Sequence, residues 1–586
     1  MRHPGRSKSP SAGSPTADQE AGREMSESEF WRSAARVARA RSGPGAVPVR
    51  TAGPPTASSS QQGFYFLSQV APDDPVYNCG VCLSLDGPVD VAALARAVQG
   101  TAGRHDALRA RFEPRQGVPA PVLEPGPAIR LGRADVGRAE LYERVRQEFR
   151  APFDLHRGPL CRFTLFTHGP DRHVLSCVLH HTVGDGWSHR VILSELGARY
   201  RAIVAGGEQP RPSPGALTYW DFTRWQNGRD HAAGLAFWTN HLRDLEQAED
   251  LLPGARPAAS ASSESHTTMA ALPARLVSDL TEIGRARGAG LHAVGLAALL
   301  VLFARCTGRT DVVVATPYLN RELPEVHDIV GLFAAQLPFR LRLGRGEPFT
   351  SVVARVRATT FDAYEHALVP LGALVRAVAP VRRTAAQPFS RTHFALEDET
   401  TLTLSLPGVR TSRFWVDRGA VIGDLAFVLR RMTTREMRAV AYWRADRYPD
   451  QVAERLFHAY VELLASLAAD PAQPVHPAAP VRKRAREVPS ASRPAPAPDS
   501  GSGATSARGE RQIAALWREL LPDADPGPED DFYALGGHSL LLIRLARLIS
   551  QRTGRQISVT ALAPARTVRQ QARVLHAAEA AEGARS

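Results

Sequence analysis

The chain has 586 residues, 44% of them hydrophobic, and carries a formal net charge of +13 from 72 Lys+Arg against 59 Asp+Glu. Such a length exceeds what one core serves, so several domains or lobes are expected. The excess charge does not point to nucleic acid: the basic residues are arginines apart from Lys8 and Lys483, no aromatic-plus-basic recognition motif accompanies them, and nucleic-acid binding is set aside.

Residues 1–52 are rich in Ser, Gly, Pro and Arg and predict a disordered tail with no apolar signal core, although Ser28–Arg41 has helical potential. From 53 to 478 helical patterns alternate with strands, which predicts an α/β architecture of two lobes, about 53–225 and 226–478. Helices are expected over Val91–Val98, Ser194–Val204 and Gly290–Cys306, and strands over Pro159–Phe166, Arg172–Leu179, Asp311–Thr316 and Leu337–Leu343. The five cysteines, odd in number and in apolar settings, read as reduced thiols of a cytoplasmic protein. Cys79-Gly80-Val81-Cys82 has no second pair and is not read as a zinc or redox site. The longest apolar run, Ala293–Ala304, is too short to span a bilayer, so it predicts a buried helix and no membrane partner. Residues 479–507 form a Pro/Ala/Ser-rich linker. A small helical domain follows over 508–580, with helical spacing in Ile513–Leu521 and Leu540–Ile549.

Two stretches carry chemistry. His180-His181-Thr182-Val183-Gly184-Asp185-Gly186 follows a Val/Leu-rich strand, so imidazoles arrive on a glycine-bounded turn. Histidine accepts and returns a proton near neutral pH, and glycine lets the chain turn sharply and a substrate come close. A structural role for the pair is equally compatible with the heptad alone. In the C-terminal domain Gly536-Gly537 predicts a tight turn, after which Ser539 opens a helix, where free N–H groups favour a phosphodiester.

The heptad resembles the HHxxxDG signature of nonribosomal peptide synthetase condensation domains. Arg104–Phe112 is similar to that family's RHExLRTxF element, and Tyr219–Trp225 to its YxDYAxW element. Ser58–Leu67 is similar to its opening SxAQxRLWxL element, with Gly63 in place of arginine. Thr307–Val314 resembles the strand that starts the second lobe, and Val381–Phe389 a late element. Asp531–Leu540 resembles the DxFxxLGGHSL signature of peptidyl carrier proteins. The resemblance implies a two-lobed chloramphenicol-acetyltransferase-like condensation domain followed by a four-helix carrier domain. It implies amide, or occasionally ester, formation between a donor acyl or aminoacyl thioester and an amine or hydroxyl acceptor.

Under this resemblance His181 lies at the active centre, as base or as positioner. His180 and Asp185 shape the loop, Asp185 pairing with an arginine, and Gly186 offers close approach and an N–H. Ser539 receives 4′-phosphopantetheine from a phosphopantetheinyl transferase. No adenylation domain is expected within the chain, so a trans-acting adenylation enzyme loads the carrier, and other carrier proteins are partners. There are departures: Ala335-Gln336 stands where the family has Asn-Thr, Gly372 where glutamate is common beside His366 and Pro370, and Gly423-Asp424-Leu425 for FDL. The alternative reading is a catalytically inactive recruitment module of the same fold that binds tailoring enzymes, although such modules usually lose the histidine motif.

Overall fold

The computed structural model describes residues 48–50, 53–115, 118–125, 129–211, 215–245, 252, 254–256, 262–378, 391–475 and 503–521, and residues 524–583 apart from 533–534, 536–544, 547, 551, 554–556, 558 and 563–564. The expected helix over Ser28–Arg41, the late element Val381–Phe389, and Ser539 with Gly536 and Gly537 lie outside the described residues.

In chain order the strands are β1 (Asn78–Asp86), β2 (Ala110–Arg115), β3 (Val118–Leu123), β4 (Leu131–Asp135), β5 (Cys161–Gly169), β6 (Arg172–His180), β7 (Ser265–Leu272), β8 (Asp311–Tyr318), β9 (Ala335–Arg342), β10 (Thr392–Asp398), β11 (Arg410–Arg413), β12 (Leu425–Arg431) and β13 (Met437–Arg444). They build a five-stranded sheet, β11-β1-β6-β5-β4, a six-stranded sheet, β7-β13-β12-β10-β8-β9, and a β2–β3 ribbon. Both large sheets are mixed: β4 runs parallel to β5, and β10 parallel to β8 and β12, while the other ladders are antiparallel.

β6 is the middle strand of the first sheet and is buried from His173 to His180. Apart from Ser176, the residues Val174–Leu179 are apolar, as a strand covered on both faces requires. The long apolar run predicted a buried helix, and Leu291–Thr307 is one: thirteen of its seventeen residues are buried, so packing rather than propensity holds it. It stops at Gly308, whose φ of 71° lies in the left-handed region that closes helices at low steric cost.

The two cores part between Trp225, packed on the first, and Trp238, inside the second. Past that parting the chain crosses back to the first core twice. Val326–Phe333 joins the first core, and so do Leu404 and Leu406, just before β11 adds itself to the free edge of β1 with Leu83 opposite Arg413 and Asp86 opposite Arg410. The sequence Arg410-Thr411-Ser412-Arg413 has no apolar period to announce a strand; its place is fixed by the open ladder it completes.

The described elements of the C-terminal region are helices. Gly503–Leu520 begins inside the stretch expected to be linker, past the last proline at Pro498, where Ala504 and Ala507 favour helix. Trp517, Phe532, Leu545, Ile549 and Leu575 form its core, with the Trp517 indole donating to Gln571 at 2.8 Å. Among the described residues no helix is long and apolar enough to cross a membrane, and the five cysteines are free thiols.

Candidate active site at the lobe junction

β6 ends at His180, and the next residues turn tightly: the His181 N–H donates to the Tyr77 carbonyl at 2.8 Å and the Val183 N–H to the His180 carbonyl at 3.0 Å. The turn is pinned from the opening helix Ser59–Val70, where the Gln61 side chain donates to the Thr182 carbonyl at 2.7 Å. Ser58 caps that helix and also accepts from the Tyr219 hydroxyl at 3.2 Å.

Asp185 is fully buried and caps the helix Gly186–Val204. Its Oδ1 accepts from the Ser188 N–H (2.9 Å), the Ser188 hydroxyl (2.8 Å) and Arg321 (3.3 Å), and its Oδ2 from the N–H groups of Phe333 (3.0 Å) and Ala334 (3.2 Å). Burial alone would raise its carboxyl, but the Arg321 guanidinium and the Ser188 hydrogen bonds hold it below the usual carboxylate range. Arg321 is equally enclosed: it donates to the carbonyls of Val326 and Ile329, both at 2.7 Å, and lies 3.9 Å over the Phe333 ring. The sequence anticipates an arginine partner for Asp185; the structure identifies it. One ion pair thus ties the first lobe's loop to the returning segment of the second half.

The two histidines differ. His180 is buried, its Nδ1 is within 2.9 Å of the Thr182 hydroxyl, and the edges of Tyr77 and Phe153 face its ring. Burial, with the neighbouring His181 and Arg162, pushes its pKa down to about 3, so it is neutral at ordinary pH. His181 is half-buried and stacks on Phe64, with ring centroids 5.2 Å apart. Its buried Nδ1 has no hydrogen bond of good geometry. Burial lowers its pKa as well, opposed by Asp185 and by the main chain of His181 and Gly184, and reinforced by Arg418. The outcome is a neutral imidazole, reachable by solvent, with proton-accepting capacity in hand.

The glycines act differently from the turn-making expected of them, since neither Gly184 nor Gly186 has a positive φ. A Cβ on Gly184 would lie 2.6 Å from Leu179 Cδ1, so its smallness lets the loop pack onto its own strand. Gly186 is exposed, and a Cβ there would meet nothing within 4 Å. Space is open in front of it.

The other stretches singled out in the sequence converge on this loop. Tyr219 donates to the Leu332 carbonyl at 2.7 Å, and its ring lies where a Cβ on Gly331 would be, 2.2 Å away. Arg104 and His105 hold Glu195 on the helix that Asp185 caps, at 2.7 and 3.2 Å. Arg321, Gln61, Tyr219, Phe64 and Gly184 were absent from the expected site. Gln61, Phe64, Gly184 and Tyr219 carried a signal as members of the resembling elements, and Arg321 carried none.

The Leu535 N–H donates to the Asp531 carbonyl at 3.1 Å and the Phe532 N–H to the Arg566 carbonyl at 2.8 Å, and Leu545 and Ala546 are helical.

Residues 54–487 match the family model described as the condensation domain, and residues 511–575 the one described as the phosphopantetheine attachment site. The chain is 30% identical over 429 residues to chondramide synthase cmdD of Chondromyces crocatus, covering 71% of this chain and 11% of that protein. It spans from 2% to 41% of the length of eight such curated relatives. Among solved structures it is similar, with TM-score 0.65 and 27% identity, to the X-domain in its complex with OxyB from teicoplanin biosynthesis, covering 73% of this chain and 96% of that one. It shares its fold with the first condensation domain of the calcium-dependent antibiotic synthetase, at TM-score 0.61 and 24% identity, covering 73% and 99%.

Proposed function

Since the chain belongs to the condensation-domain family of nonribosomal peptide synthetases and carries a phosphopantetheine attachment domain, we propose that it joins a donor acyl or aminoacyl thioester to an acceptor amine or hydroxyl. The family's general reaction is amide formation. The observation that carries the reading is the neutral, half-buried His181 on a loop where the side chains of His180, Thr182 and Asp185 are committed to hydrogen bonds.

A thioester is already activated, so holding the reactants and moving one proton are the remaining tasks. The acceptor nitrogen attacks the carbonyl, the C–N bond forms, and the C–S bond breaks. His181 takes the proton the amine sheds and returns it to the departing sulfur. His180, neutral and enclosed, shapes the turn; Asp185, ionised and saturated, sets the loop through Arg321. Gly186 leaves the wall open and its N–H available to the developing oxyanion. Ser539 is the attachment point for 4′-phosphopantetheine, whose thiol supplies the thioester linkage when bound. We place the condensation domain at 53–478 and the carrier domain from about 503 to 580. A phosphopantetheinyl transferase and an adenylation enzyme acting in trans charge the carrier, and other carrier proteins meet it, in the cytoplasm.

The test is transfer on the holo-protein, loaded with candidate thioesters and followed by intact mass. His181→Ala is expected to cut the rate by about 10²–10⁴ with an unchanged melting temperature; equal turnover would sink the assignment. The likeness to an X-domain supports a second reading, recruitment of a tailoring enzyme. Tight binding of such an enzyme with no transfer to any acceptor would favour it.

A further inference from the structure

Beside the histidine loop the lobes enclose a second feature that the reaction leaves unused. A recess open to solvent is walled by Ser58, Asn320, Phe333, Gln336, Val369 and Pro370 among others. Recesses lined by apolar side chains with a few polar groups among them are where small organic groups bind. No charged side chain lines it among the described residues, so it suits a neutral one. Gln336 replaces a residue of the usual Asn-Thr pair, and its Oε1 is buried with no hydrogen-bond partner. Leaving such an acceptor unmet costs about 1–3 kcal/mol, and an orphan in a folded protein calls for a reason. Asn320 holds a second irregularity, a φ of 55°, in the turn that also delivers Arg321 to Asp185.

The recess adjoins the reacting centre by two routes. Gln336 follows Phe333 and Ala334, whose N–H groups bind Asp185, by only two to three residues. Ser58–Ser60 opens the helix on which Phe64, about one turn or ~6 Å further along, stacks on His181.

We propose that this recess receives the distal group of one of the two substrates, and that Gln336 is a specificity-determining residue accepting a hydrogen bond from a neutral donor, a hydroxyl or amide N–H, on that group. This rests on the condensation reading for the identity of the substrate as an acyl or aminoacyl unit, but recognition by the recess needs no turnover. Binding is therefore measured by calorimetry in His181→Ala. The probes are aminopantetheine amides of serine and alanine, of threonine and 2-aminobutyrate, and of tyrosine and phenylalanine.

In at least one pair the hydroxyl member is expected to bind about fivefold to tenfold tighter, the worth of one neutral hydrogen bond. Gln336→Leu should level that pair, and Gln336→Asn should keep part of the preference. No preference in any pair, or a preference that survives Gln336→Leu, overturns the proposal. Level binding alongside normal His181-dependent transfer removes this inference alone; preserved preference alongside His181-independent transfer removes the catalytic reading alone.

Discussion

The His180–Gly186 loop and the Leu332–Leu337 segment face each other across the lobe junction and are built on opposite plans. On the loop, Asp185 accepts five hydrogen bonds and His180 meets Thr182, and the buried side-chain atom left without a partner is His181 Nδ1. The segment spends its main chain on Asp185 and leaves Gln336 Oε1 unmet beside an open recess. Saturation fixes geometry, as a proton-transfer group needs. An open acceptor stores affinity for something that arrives. The junction therefore separates the part that must be rigid from the part that must choose.

The largest expected effect tests the rigid side. Arg321→Ala leaves the Asp185 carboxylate buried without its cation and should destabilise by about 3–5 kcal/mol in urea unfolding. A loss under about 1 kcal/mol would show that the clamp is not what orders the loop.

Acid reads how far that enclosure extends. His180, His189, His292 and His393 have pKa values lowered to about 3, 4, 4 and 4, each chiefly by burial. A depressed folded pKa means that the unfolded chain binds more protons between the folded value and about 6.5, so the stability contributed is whole above 6.5 and is lost as pH falls toward 4. Each ring should cost about 2 kcal/mol between pH 7 and pH 5. His393→Leu should remove one such share from the pH dependence of the unfolding free energy; an unchanged slope would mean that the ring is not held neutral.

Gly331→Ala puts a Cβ into the Tyr219 ring, which its hydroxyl anchors at Leu332 and Ser58, and should cost about 1–3 kcal/mol by overpacking. Thermal unfolding reads it, and a neutral result would place slack where the contact implies none. The smallest effect has the opposite sign. Gly63 sits in the interior of an exposed helical turn with nothing within 4 Å of a Cβ, so Gly63→Ala should stabilise by about 0.5–1 kcal/mol; destabilisation would indicate that the opening helix is strained at that point.

What the sequence could show was governed by range. β6 and its loop were legible because an apolar run, a polar turn and a cap lie next to each other in the chain. The buried Leu291–Thr307 helix was legible from its uninterrupted apolar run, and its observed ends differ by a residue from those expected. Arg321 was not, because it sits 136 residues beyond Asp185 in a stretch without periodicity, and only folding makes them neighbours. The need for Gly184 was misassigned to backbone freedom when it is steric, a contact with Leu179 that no local pattern records. β11 was invisible because its residues are polar and its partner edge is supplied by the opposite end of the domain.

That late strand has a consequence during synthesis. The first lobe's own contiguous stretch ends near residue 225, yet the strand that closes its β1 edge is not made until residue 413. At about 5–20 residues per second the ribosome takes roughly 10–40 s to cover the intervening ~190 residues. Throughout that interval a nascent chain carries an open ladder along Leu83–Asp86, the kind of edge on which chains pair wrongly. The fold is therefore exposed to misassembly on the ribosome in proportion to how slowly its middle third is translated.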